Sequence, residues 1–175
     1  MIDERVEDAL NDQINAEFYS AYLYLSMAAD FADQNLDGFS HWMRLQAQEE
    51  VEHAMRIFDF VLERGGTVEL GELEKPKTEW ESPKEAFKDA LEHEEYITGR
   101  INDLVDLAKE KNDRATENML QWFVDEQVEE EDSVDEILQK LKMAGDSSSS
   151  LLMLDSNLGQ RTPGEENEEG SSEEQ

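Results

Sequence analysis

Gln48-Glu49-Glu50-Val51-Glu52-His53-Ala54-Met55 decides how this chain folds. Around it, Phe39, Met43, Gln46, Glu50, His53, Ile57 and Phe60 follow one another at steps of four and three. That is the spacing of one helical face, and its apolar members mark the face that enters a core. Glu50 and His53 sit in the middle of it, one turn apart. An isolated carboxylate in an apolar interior is very costly, so this pair needs something to compensate it.

Three other segments repeat the anomaly. Val6, Leu10, Gln13, Glu17, Ser20, Tyr24, Met27 and Phe31 form a seam interrupted by Glu17. Phe87, Ala90, Glu94, Ile97, Ile101, Leu104 and Ala108 form one interrupted by Glu94. Leu120, Phe123, Gln127, Glu130, Val134, Ile137 and Leu141 form one interrupted by Gln127 and Glu130. Glu17 and Glu50 are 33 positions apart, as are Glu94 and Gln127. A shift of 77 positions carries Glu17, Glu50 and His53 onto Glu94, Gln127 and Glu130. The sequence therefore predicts an all-α fold built from two helix pairs, a four-helix bundle with these six residues at one level.

The breaks give the order of the bundle. The first helix spans 3 to about 33, some 45 Å at about 1.5 Å per residue. Asn35-Leu36-Asp37-Gly38 is a short turn, which makes the next helix, 38 to 64, an antiparallel neighbour. Gly65-Gly66 ends that helix. Thr67 to Ser82 has Pro76 and no helical period. Extended, it reaches about 53 Å, enough for a long crossover back along the bundle, which sets the third helix parallel to the second. Thr67-Val68-Glu69-Leu70 reads as a short edge strand within it. Ser82-Pro83-Lys84-Glu85 caps the third helix, and Asp113 caps the fourth, 114–144. A short fifth helix, capped by Asp146 or one of Ser147–Ser150, runs to about Leu158. Leu151, Leu152, Met153, Leu154 and Leu158 cover most of its sides, which predicts packing against other subunits rather than docking on its own chain alone. The domain spans 1–160; residues 161–175 have the composition of an acidic disordered tail.

The bulk composition narrows the function. The chain has 175 residues, no cysteine and a formal net charge of −30. Thiolate chemistry and disulfides are excluded. Binding to nucleic acid, which rests on Lys and Arg, is disfavoured. No apolar run predicts a membrane span or a leader, so a cytoplasmic location is expected. Residues 161–175 hold six Glu and one Arg, so most of the charge lies on the folded body. A salt-rich, halophilic cytoplasm accounts for it, as does a surface that gathers cations.

Glu17, Glu50, Glu94 and Glu130 bring four negative charges, and two divalent cations bring four positive ones. Neither Lys nor Arg occurs in the seams to pair them. His53 adds one nitrogen, and an oxygen-rich set with one imidazole suits iron, manganese or zinc better than copper. Gln127, being neutral, reads as a weak ligand or a hydrogen-bonding support. Tyr24, two turns beyond Glu17 on the same face, reads as core packing or as a redox or hydrogen-bonding partner of the metals. Trp122 reads as packing, with electron donation as its alternative. Glu49, Glu126 and Glu129 flank the region as a solvated acidic face or as a third cation site. His41 and His93 read as surface or packing residues.

These motifs resemble those of the non-haem ferritins of bacteria and archaea, over residues 3 to about 160. The likeness rests on Asn15-Ala16-Glu17, Tyr19-x-x-Tyr22-x-Tyr24, Glu49-Glu50-x-x-His53-Ala54, the Glu94 helix and Gln121-Trp122-x-x-x-Glu126-Gln127-x-x-Glu130. The resemblance implies a ferritin-like bundle and a dinuclear iron ferroxidase centre of Glu17, Glu50, His53, Glu94 and Glu130 with Gln127 in support. It also implies a third iron site of Glu49, Glu126, Glu129 and Glu130, and a hollow homo-oligomer of 24 subunits. Fe(II) would be oxidised by O2 or H2O2 and stored as hydrated ferric oxide. No haem is expected, since Val51 stands where bacterioferritins carry their haem-ligating Met, and the full second Glu-x-x-His of those proteins is here Gln127-x-x-Glu130. A dimetal oxygenase or peroxidase, needing an apolar pocket beside the metals, is one competing reading. A cage or cation buffer without an oxidation step is another.

Overall fold

The computed structural model describes residues 2–164. Of the expected tail, 161–175, the part from 165 on lies outside the described residues. Five helices form: α1 (Glu4–Asp33), α2 (Asp37–Glu63), α3 (Pro83–Glu110), α4 (Arg114–Ala144) and α5 (Ser148–Leu158). Side chains cap the starts of four of them, at Ser82, Asp113 and Ser147 as the sequence predicts and at Asp3 besides. Asp3 accepts from the Arg5 N–H, Ser82 from Glu85, Asp113 from Thr116 and Ser147 from Ser150, each relieving a donor that the first turn leaves unpaired.

Ion pairs fix the directions. Arg5 at the start of α1 meets Glu110 at the end of α3, with Lys111 meeting Asp3 beside it. Arg64 just past α2 grips Asp113 at the start of α4. α1 thus runs antiparallel to α3, and α2 to α4, leaving α2 and α3 parallel, as the long crossover requires.

The expected edge strand at Thr67–Leu70 does not form; no strand occurs among the described residues. Side chains of α1 take the polar groups that a sheet partner would have held. The Thr67 N–H donates to Glu7 and the Glu69 N–H to Asn11. Asn11, Asn15 and Ser26 donate to the carbonyls of Thr67, Glu72 and Lys77. The crossover is strapped along α1 by the accounting that every backbone donor and acceptor demands.

Two apolar clusters form the core. One gathers Tyr24, Met27, Phe31, Phe39, Trp42, Phe87 and Val134. The other gathers Val6, Leu10, Ile14, Ile57, Ile97, Ile101 and Phe123. Residues 17, 50, 94 and 127–130 fall in the gap between them on every helix. Their layer is shut in from both ends.

α5 docks on its own chain while keeping a free face. Leu154 is buried, and Leu151 and Leu158 pack against the first cluster, whereas Leu152 and Met153 are 59% and 68% exposed. The seat is Gly38, the second residue of α2. A Cβ there would sit 1.7 Å from the Asp155 carbonyl oxygen. Leu36 gives α2 no side-chain cap; Asp155 supplies it from α5, accepting from the Phe39 N–H at 3.0 Å. A carboxylate at that position also suits the helix dipole. Among the described residues, no helix is long and apolar enough to cross a membrane.

Candidate metal centre

Glu17, Glu50, Glu94, Gln127 and Glu130 are all buried, as is His53. The six positions that the internal repeat relates do meet at one level. Glu17, Glu50 and His53 place one ligand atom each within 4.8 Å of one another. His53 does the same with Glu126 and Glu130. His53 therefore stands between two loci, one interior and one toward the edge of the bundle.

Three of the four buried carboxylates, all but Glu50, are held by a neutral donor. Gln13 Nε2 donates to Glu17 Oε1 at 2.7 Å. Gln46 Nε2 donates to Glu130 Oε2 at 2.7 Å. The Tyr24 hydroxyl donates to Glu94 Oε1, and Gln127 Nε2 to Glu94 Oε2 at 3.2 Å. Among the described residues, three buried side-chain atoms stay without a hydrogen bond: Glu17 Oε2, Glu50 Oε1 and His53 Nδ1. His53 Nδ1 lies 3.4 Å from Glu50 Oε2 but lacks hydrogen-bond geometry. Native interiors leave few such groups. Orphaned oxygens and one imidazole nitrogen converging on one point are the donor set that a divalent cation takes.

The metal-free state is strained electrostatically. Burial raises the pKa of Glu17, and burial with the neighbouring charges of Glu94 and Glu17 holds Glu50 well above the usual carboxylate range. Burial, then Glu94 and Glu50, does the same to Glu130. Burial lifts Glu94 to about 7 against the bonds from Tyr24 and Gln127. Tyr24 itself is pushed up by burial and the Glu94 charge. Four like charges in one dry layer cannot all ionise alone; cations or protons must join them.

Beside this layer opens a cleft of about 270 Å³ lined by Glu49, His53, Trp122, Glu126, Glu129 and Glu130, together with Arg56 and Arg161. Trp122 packs edge-on against His53 at 5.4 Å, with Arg56 4.0 Å over its ring. His93 is bonded to Ser20 at 2.7 Å, and burial lowers its pKa to about 4. His41 holds the Arg161 carbonyl at 2.8 Å. Both histidines pack, away from the centre.

Three participants were not singled out from the sequence. Gln13 and Gln46 are seam residues whose signal was present: each precedes a site glutamate by four, and they too are 33 positions apart. Arg161, read as the first residue of the tail, gave no signal. Its guanidinium bonds Glu49 at 2.7 Å and Gln46 at 2.5 Å.

The family model of the ferritin-like domain matches residues 7–144. A bacterial non-heme ferritin from Bacteroides fragilis is 42% identical over 92% of this chain and all of its own length. One from Staphylococcus aureus is 37% identical over 95% of this chain and all of its own. Among solved structures, an open-pore ferritin from the hyperthermophilic archaeon Archaeoglobus fulgidus superposes with a TM-score of 0.92 at 54% identity, covering 93% of this chain and 100% of that one. Helix order, polar layer and relatives agree: this chain belongs to the ferritin family.

Proposed function

We propose that the protein stores iron and oxidises it on the way in. Fe(II) is the substrate of the buried layer, with Glu17, Glu50 and His53 at one metal position, Glu94 and Glu130 completing the other, and Glu50 bridging. Gln127 and Tyr24 orient Glu94. Glu49, Glu126, Glu129 and Glu130 form a third position at the cleft. Two Fe(II) give one electron each; O2 takes the two electrons and two protons and leaves as H2O2, or H2O2 is itself the oxidant and leaves as water. The carboxylates hold both oxidation states, and the two apolar clusters keep bulk water from the site. Fe(III) then passes to a cavity enclosed by 24 subunits and is kept as hydrated oxide. The exposed face of α5, with Leu152 and Met153, joins subunits there. We place this activity in the cytoplasm.

The single observation that carries this reading is the set of three orphaned ligand atoms, Glu17 Oε2, Glu50 Oε1 and His53 Nδ1, in an otherwise closed layer. The cleft beside the centre is acidic, which suits cations. A second hollow, lined by Leu25, Ala28, Ala29, Ala47 and Val51 with Arg44, Gln48 and Glu52, includes none of the proposed metal ligands, which favours cations over an organic substrate at the centre. Aerobic addition of Fe(II) to the assembled protein tests the proposal. Oxidation well above the buffer rate, with hundreds of irons retained per shell, is expected. Oxidation at the background rate would overturn the ferroxidase reading. A few irons held and none stored would overturn storage.

A further inference from the structure

Arg161 occupies an unusual place for a residue just past the last helix. Its side chain is only 13% exposed. Nη2 lies 2.7 Å from Glu49 Oε2, and Nη1 donates to Gln46 Oε1 at 2.5 Å. The guanidinium carbon stands 5.0 Å from the Trp42 ring centre, and the backbone carbonyl is held by His41 at 2.8 Å. Three contacts hold the side chain and a fourth the backbone, offsetting the rotamer freedom that an arginine loses on ordering. The same residue lines the acidic cleft with Glu49, His53, Glu126, Glu129 and Glu130.

We infer that Arg161 is a built-in cation that competes with metal for the outer position. This rests on the reading of the cleft as the third metal site. A guanidinium stays charged at any physiological pH. While it holds Glu49, a divalent cation in the cleft meets both a missing ligand and a repelling charge. A cation that takes Glu49 must break the Arg161–Glu49 pair, and the Gln46 bond ties that event to Glu130, an interior ligand. Arg161 is thus a positioning residue: it keeps the outer site weak, so that an ion arriving there is passed on rather than kept. α5 carries it into place through the Gly38 contact, so the seating of the fifth helix sets the affinity of the outer site.

The test is anaerobic calorimetric titration of the assembled shell with Zn(II), which cannot be oxidised, and with Fe(II). Wild type should show two tight ions per subunit and one weak one. Arg161→Gln should tighten the weak ion about tenfold, equivalent to about 1.4 kcal/mol, and leave the tight pair within about twofold. Arg161→Lys, which keeps the charge, should stay near wild type. An unchanged or weakened outer ion in Arg161→Gln, with the tight pair intact, would overturn the inference and leave Arg161 as a tether of the chain end. Should Arg161→Gln fail to assemble, the Lys variant and Glu49→Ala carry the test: Glu49→Ala must abolish the weak ion. Absence of the two tight ions in wild type would instead sink the metal-centre reading itself.

Discussion

Replacing Gly38 by Ala inverts an ordinary rule. In a helix interior, Ala is favoured over Gly by roughly 0.5–1 kcal/mol, and in the first turn of α2, where Gly38 stands, the same preference would favour Ala by less. Here the added methyl would stand 1.7 Å from the Asp155 carbonyl oxygen and 2.6 Å from its carbonyl carbon. Both atoms are backbone, so no rotamer relieves the clash. α5 has to withdraw by more than about 1 Å, since real Cβ atoms essentially never come within 3.0 Å of such a neighbour. Withdrawal breaks the Asp155 cap on Phe39, worth about 1 kcal/mol, and exposes part of Leu154, whose full burial is worth about 1.5–3 kcal/mol. The net cost falls near 1–3 kcal/mol, concentrated on α5. Hydrogen exchange followed residue by residue is the assay. Amides of α5 and of the first turn of α2 should lose protection by one to two orders of magnitude, while the middle of α1 and α3 changes little. Asp155→Asn, which weakens only the cap, should lose less. Unaltered protection of α5 in Gly38→Ala would refute the account of how this helix is seated.

Three further outcomes follow from the centre. Glu17→Ala and His53→Ala should slow the fast phase of Fe(II) oxidation on the order of tenfold or more while the shell still assembles; stopped-flow absorbance with unchanged rates would remove these residues from the centre. In chelator-treated protein, Glu94 with its pKa raised to about 7 from 4.5 contributes stability that is full below pH 4.5 and lost as pH rises through 7, at most about 3 kcal/mol. Urea midpoints should therefore fall between pH 5 and pH 8, and Glu94→Gln should flatten part of that fall; parallel curves would show that Glu94 is not the titrating group. Gln127→Lys puts an ammonium where an amide donates to Glu94 at 3.2 Å. It should cost one of the two tight divalent ions in a calorimetric titration, and retention of both would show that charge balance does not govern the site.

Much of this was legible because helix period and burial are local properties. The four seams fix which face of each helix is inside, and the 33-residue spacing fixes which polar residues share a level. Caps at Ser82 and Asp113 fix the starts. Contacts that depend on tertiary approach were not legible. The strand expected at Thr67–Leu70 fails because Asn11 and Glu7 take its backbone groups in place of a sheet partner. Gly38 looks like any turn glycine until Asp155 is placed against it. Arg161 sits in a polar run with no period, so nothing in the chain order points it at Glu49. The same limit holds for the edge of the centre. Glu126 is brought beside His53 and Glu130, and Glu129 lines the cleft, but the sequence offers only a run of acids.

Two relays of one design flank the buried layer. Arg100 Nε donates to Gln13 Oε1 at 2.8 Å, and Gln13 passes a bond on to Glu17. Arg161 donates to Gln46 Oε1, and Gln46 passes a bond on to Glu130. In each, a permanent cation is kept one amide away from a carboxylate. Direct contact would satisfy the carboxylate as a salt bridge and fill the oxygens that a metal needs. At one amide's remove the positive charge still favours ionisation, as Arg100 does for Glu17, and polarisation along the hydrogen-bonded chain strengthens the hold on the oxygen it reaches. The opposite oxygen of Glu17 is left bare. Glu49, at the open side, takes a guanidinium directly. The interior carboxylates are arranged to need a cation, and the outer one already has one that can be exchanged.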